Sequence, residues 1–241
     1  MKNLKFRHYV ILVLVLGLAI GSVIGISGGT LTAMILPDDP KDYVIIIDPG
    51  HGGIDGGAVG VSGALEKDIN LAIGLRLREI LTEAGYTVVM TRDTDISIHD
   101  SDAVTVRQKK VSDMRKRLAM TQLYEKSILI SIHQNKLGDR KVTGAQVFYS
   151  PNNPESEVLA QAIQDEFNRS IQINGRNKEI KKTGKNLYLF YNAKNIAILN
   201  ECGFMSNPSE EALLGDPVYQ EKIAFTIFSG LINYFSAMRA A

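Results

Sequence analysis

Tyr43-Val44-Ile45-Ile46-Ile47-Asp48-Pro49-Gly50-His51-Gly52-Gly53 is the stretch that decides the fold. Its first half is an unbroken apolar run rich in β-branched residues. Such a run reads as a strand buried on both faces, which is the habit of parallel sheets covered by helices. Its second half is a loop by composition, dense in glycine and closed to regular structure by proline. Downstream, Lys67 to Ala84 places Ile69, Ala72, Ile73, Leu77, Ile80 and Leu81 at helical spacing, and Gly85 stops it. Thr87–Met90 reads as a second strand, Asp113–Tyr124 as a helix, and Ile128–Ile132 as a third strand ending at His133. Ala145–Tyr149 is a fourth strand, Glu155–Ser170 a helix, and Ile196–Leu199 a fifth strand. A short helix after Asn207-Pro208-Ser209 and a longer one from Pro217 to Met238 close the chain. Strand and helix alternate throughout. The pattern predicts a single three-layer α/β domain over residues 43–241, with a mostly parallel sheet and helices on both faces. Two polar stretches, Thr94–Ser112 and Ile171–Lys185, read as surface excursions.

Upstream of the strand the chain changes character. Residues 37–42 read as a polar linker. Residues 9–36 contain no charge, and residues 1–8 carry Lys2, Lys5 and Arg7. A membrane span needs roughly 20 apolar residues, while the apolar part of a signal peptide runs to roughly 7–15. The segment fits an uncleaved anchor better, with residues 1–8 cytoplasmic and the domain outside. The alternative is cleavage near Gly25-Ile26-Ser27. Three of the 27 basic residues lie in this leader, which leaves 24 against 26 acidic residues in the remainder. That balance argues against a nucleic-acid partner. The single cysteine, Cys202, rules out an intrachain disulfide.

The chemistry gathers at strand ends. His51 and His133 each stand at the C-terminal end of a strand, and Glu201 follows the fifth strand. In open α/β sheets, ligands bind outside those ends. Glu66 stands where the first helix begins. One reading is that Glu66 and Asp68 simply favour the positive end of that helix. The other is that the glycine-rich loop lets His51 and Glu66 converge on one ion. Two imidazoles and a carboxylate form a known catalytic zinc set, which would leave Glu201 free as a base. A dinucleotide fingerprint, a phosphate loop and a serine nucleophile elbow are all absent. Cys202 reads as a buried, inert thiol. Of Tyr188, Phe190 and Tyr191, at least one belongs to the core, and the others could line a groove.

Taken together, Ile47-Asp48-Pro49-Gly50-His51-Gly52-Gly53, Leu65-Glu66-Lys67, Thr91-Arg92, Ser131-Ile132-His133-Gln134-Asn135 and Glu201-Cys202-Gly203-Phe204-Met205-Ser206-Asn207 resemble the zinc-dependent N-acetylmuramoyl-L-alanine amidases of the amidase 3 type. The resemblance implies Zn²⁺ held by His51, Glu66 and His133, with Glu201 as the catalytic glutamate. It implies hydrolysis of the amide between N-acetylmuramic acid and L-alanine in peptidoglycan. Gln134 departs from the family, which usually has a small residue there, and is expected to narrow the groove or adjust the ligand loop. A short membrane-directed segment joined to a bare catalytic domain resembles the members that act on spore cortex in germination, where the cut prepares muramic lactam. An activator or regulatory protein is an expected partner, given the long polar stretch Thr94–Ser112. Two other readings stay open: an inactive peptidoglycan-binding scaffold, and a zinc peptidase acting on the stem peptide.

Overall fold

The computed structural model describes residues 39–172 and 176–240. The leader expected over residues 1–36 lies outside the described residues. Among the described residues no helix is long and apolar enough to cross a membrane.

The opening run forms β1 (Val44–Pro49), which pairs in parallel with β2 (Thr87–Met90) on one side and β3 (Ser127–Asn135) on the other. β6 (Ile196–Phe204) pairs in parallel with β3. β4 (Gln146–Tyr149) is antiparallel to β6, and the two-residue β5 (Lys181–Lys182) closes that edge. The order across the sheet is β2-β1-β3-β6-β4-β5, with one antiparallel pair. The sheet is therefore mostly parallel, as its apolar strands require.

Alternation along the strands decides which helices each face meets. Ile45 and Ile47 share a face with Ile128, Ile130 and Ile132. That face packs on α1 (Glu66–Glu83), α3 (Glu155–Ser170) and α6 (Pro217–Ala240). Ile46, Leu129, Ala197 and Leu199 point the other way, toward α2 (Val106–Thr121) and α4 (Tyr188–Asn192). The short α5 (Pro208–Leu214) follows β6 and carries the chain to α6. Each fully buried aliphatic side chain contributes about 1.5–3 kcal/mol. The two faces together cover the sheet.

α2 begins at Val106, well before the expected Asp113. Two features explain the difference. Thr105 and Gln108 form a reciprocal capping box that starts the helix. The stripe that faces inward is polar, Asp113, Arg117 and Thr121, so hydrophobic periodicity does not reveal it. The last part of the polar stretch Thr94–Ser112, from Val106, is thus helix. The first part is tied down where Asp113 accepts from Ser97 and from the backbone of Ile98. Ile171–Lys185 likewise contributes β5, an exposed Lys-rich edge that discourages pairing with other chains.

α3 and α6 cross closely at Gly230, where an added Cβ would lie 2.6 Å from Ile163 Cα. The obstacle is backbone, so the helices would have to separate. Gly230→Ala gains about 1 kcal/mol of helix propensity but is expected to lose more, for a net destabilisation of about 1–3 kcal/mol in urea unfolding. An unchanged midpoint would show that the crossing has slack.

Candidate metal centre and cleft

The chain leaves β1 toward β2 on one side and returns to β3 on the other. The crevice between the carboxyl ends of β1 and β3 is therefore a topological switch point. His51 follows β1 and His133 stands near the end of β3. Leu129, Ser131 and His133 alternate onto the α2 face, and so do Ala197, Leu199 and Glu201 on β6. His133 and Glu201 are direct partners in the register. Strand parity alone thus brings the histidine and the glutamate onto the same side.

Glu66 reaches this edge from the first turn of α1. Its Oε1 lies 3.0 Å from His133 Nδ1 and its Oε2 3.2 Å from His51 Nε2. Backbone N–H groups of Ala58 and Gln134 also donate to the carboxylate, and so does the side chain of Asn70. Burial alone would raise the Glu66 pKa, but the two histidines outweigh it and hold the group far below the ordinary carboxylate range.

One ligand atom from each of His51, Glu66 and His133 lies within 4.8 Å of the others. Two atoms about 2.0–2.1 Å from a tetrahedral zinc are separated by roughly 3.3 Å. The two Glu66–histidine separations, 3.0 and 3.2 Å, are close to that value, and the donor set is the His₂-carboxylate combination that zinc accepts. The residues present therefore fit the ion. His51 has a counterforce to overcome. Burial opposes its charge, yet Asp55 and Glu66 raise it to about 9, so an entering cation must displace a proton from it.

Several close fits hold these groups in place. His51 sits at φ 64°, a left-handed conformation rare for a non-glycine residue. Its Nδ1 meets Asp55 Oδ2 at 3.0 Å, which leaves Nε2 to face Glu66. Gly50 is required because the His133 ring lies on its backbone: a Cβ there would be 2.1 Å from Nε2. A Cβ at Gly57, where φ is +68°, would be 2.5 Å from Glu66 Oε2 and 2.7 Å from His51 Cδ2.

Glu201 stands beside these groups without joining them. Its Oε2 is buried and has no hydrogen-bond partner. Burial is the main cause that raises its pKa to about 7, with Glu66 adding to it and the histidines opposing. A carboxylate that titrates near neutrality suits proton transfer. Cys202 turns to the opposite face, fully buried, and burial pushes its thiol pKa well up, as expected of an inert sulfur.

A cleft of about 330 Å³ opens over His51, His133 and Glu201. Tyr188 lines it and is 43% exposed, whereas Phe190 is core. Gln134 does not narrow this cleft. Its side chain is buried on the α1 side, where it donates to Asn70, while its backbone supports Glu66. Sequence reading missed Asp55, Asn70, Arg117 and the cleft lysines Lys109 and Lys110. An Asp113–Arg117 pair at helical spacing was the one local signal available for Arg117.

Comparison with known proteins gives the family and the fold. Residues 45–233 match the family described as N-acetylmuramoyl-L-alanine amidase. The germination-specific N-acetylmuramoyl-L-alanine amidase of Bacillus subtilis is 40% identical over 193 residues, covering 80% of each chain. The CwlD amidase of Clostridioides difficile, solved in complex with the GerS lipoprotein, superposes with TM-score 0.77 at 38% identity, covering 81% of this chain and 99% of that one. An N-acetylmuramoyl-L-alanine amidase of Clostridium difficile 630 gives 0.70 at 28% identity, covering 82% and 98%.

Asp55→Ala removes the group that orients His51 without touching the core. Zinc affinity, measured by competition with a chelating dye, is expected to fall about 10–100-fold. An unchanged affinity would mean that the backbone alone orients the ring.

Proposed function

The chain belongs to the N-acetylmuramoyl-L-alanine amidase family, and from that premise we propose that it is a zinc enzyme of spore-cortex maturation, with His51, Glu66 and His133 as the metal ligands and Glu201 as the general base. Hydrolysis of peptidoglycan at the muramoyl–L-alanine amide is the family activity. The observation that carries the zinc reading is the convergence of two imidazoles and one carboxylate beside an unpaired glutamate.

Bound zinc would polarise the scissile carbonyl and lower the pKa of the attacking water toward ~7. The protein's own groups do the rest. His51 and His133 present neutral nitrogens, and Glu66 neutralises one charge of the ion. Glu201 accepts a proton from the water at its carboxylate and delivers it to the nitrogen of L-alanine as the amide breaks. The products are a lactyl carboxylate on the sugar and a free amine on the peptide. In a cortex this carboxylate is the starting point for muramic lactam, which a second enzyme would close. The 40% identity to a germination-specific relative supports that setting. The structure of CwlD with a lipoprotein supports a regulatory partner for this chain as well.

We further propose residues 9–36 as a membrane anchor, residues 1–8 as its cytoplasmic flank, residues 37–42 as the link and residues 43–241 as the catalytic domain. The described chain enters the domain through a 3₁₀ turn, Pro40–Asp42, and the Lys41 ammonium lies 3.5 Å from the centre of the Tyr86 ring. A reporter fused after Ala241 should be active only outside the cytoplasm, and cytoplasmic activity would contradict the anchor's orientation.

Ligand and base substitutions should differ in kind. His51→Ala, Glu66→Ala and His133→Ala should each lose zinc. Glu201→Gln should retain zinc and lose roughly 10²–10⁴-fold in turnover. Zinc content and release of the L-alanine amine should be read on the same preparations. Loss of zinc from Glu201→Gln would make Glu201 a ligand. With the base active in its ionised form, the rate should rise with pH through the Glu201 pKa. A neighbouring cation draws that pKa down, so the acid limb should fall below about 7.

A further inference from the structure

Apart from Glu201, the charges that line the cleft are matched with one exception. Asp48 and Asp113 both pair with Arg117, at 2.5 and 2.6 Å. Asp55 pairs with Lys110 at 3.0 Å and holds His51. Lys109 lines the same cleft and is half-buried, yet among the described residues it has no acidic partner.

Its position makes the surplus charge costly. Lys109 lies in the first turn of α2, where no acidic residue offsets it and the helix dipole is positive. Lys110 meets the same field but has Asp55. The turn that carries Lys109 is fixed by the capping box, and its backbone N–H bonds to Thr105 at 2.9 Å. The stem is thus anchored on a rigid element, which favours a preset binding group over a wandering surface charge.

We propose that Lys109 sets specificity by receiving a carboxylate of the substrate's peptide arm. The proposal rests on the amidase reading given above. Beyond the scissile amide the peptide continues from L-alanine to a D-glutamate joined through its side-chain carboxyl. This leaves an α-carboxylate one residue past the cut, which is free in some walls and amidated in others. Ile54, Met114, Leu187 and Leu189 give the cleft apolar walls, so its unmatched ammonium is the group that distinguishes the two forms. Tyr188, exposed at the start of α4, lines the same cleft.

The test uses the full chain loaded with zinc and two muropeptides that differ only in that carboxylate, one free and one amidated. The readout is the ratio of kcat/KM between them. The parent should prefer the free acid by about tenfold, carried in KM, as a single charge-assisted hydrogen bond in a half-open cleft allows. Lys109→Met should bring the ratio close to one, and Lys109→Arg should restore it. A parent that cleaves both equally, or a Lys109→Met enzyme that keeps the parental ratio, overturns the role of Lys109 while leaving the amidase reading intact. A parent with zinc bound that cleaves neither muropeptide, alone or with a cell-envelope extract that supplies a regulatory partner, overturns that reading and this assignment with it.

Discussion

The Arg117 guanidinium, fully buried beneath the loop that follows β1, is the contact on which the site depends. It faces Asp48 and Asp113, and its remaining donors reach the carbonyls of Pro49 and His51, the latter at 2.7 Å. Thr91 and Ser131 complete the Asp48 carboxylate, each at 2.7 Å. Burial would raise the Asp48 pKa, but Arg117 chiefly holds it below the ordinary range. Removing one member of such a buried set leaves an unpaired charge and costs about 3–5 kcal/mol. The arrangement stabilises little compared with an apolar core of equal volume. What it fixes is the path of the backbone.

That path is unusual. Carbonyls of consecutive residues must turn inward while His51 takes a left-handed conformation. Arg92 works from the other side, donating to Pro49, Gly50 and Lys67 at 2.8–3.0 Å. Asn70 also donates to the Gly50 carbonyl. Each inward carbonyl is therefore answered, as buried polar groups must be. Lys67 and Asp95 then hold Gly53, so the polar stretch after β2 serves as a brace for the histidine loop. On the far side Glu211 accepts from Ser62 and ties the second half of the same loop to α5.

This bracing accounts for the division of labour among the acids. Glu66 is surrounded by donors and stays ionised, which suits an ion-binding carboxylate. Glu201 lies one strand away, with no donor for Oε2, and titrates near neutrality. Two carboxylates in one crevice thus acquire different properties because one is satisfied and the other is not.

How far the sequence leads can be judged residue by residue. The apolar run Val44–Ile47, the spacing of the α1 residues and the alternation of strand and helix sufficed for the sheet and its two helical layers, because burial patterns are local and periodic. His51, His133 and Glu201 were legible because they follow such runs directly, and Glu66 because it opens the next helix. The early start of α2 was not legible by hydrophobicity, since its inward stripe is Asp113, Arg117 and Thr121. Asp55 and Lys109 carry no periodic signal, and Arg117 only its helical spacing from Asp113. Their roles depend on partners that the sheet order brings close from distant parts of the chain. The sequence alone therefore determined the layers and the chemical groups at the strand ends. Only the tertiary structure decided which charges meet, and thereby that Gln134 lies behind the site and that Lys109 is left unmatched in the cleft. The physical reason is that hydrophobic pattern is written along the chain, whereas electrostatic pairing is a property of distances across it.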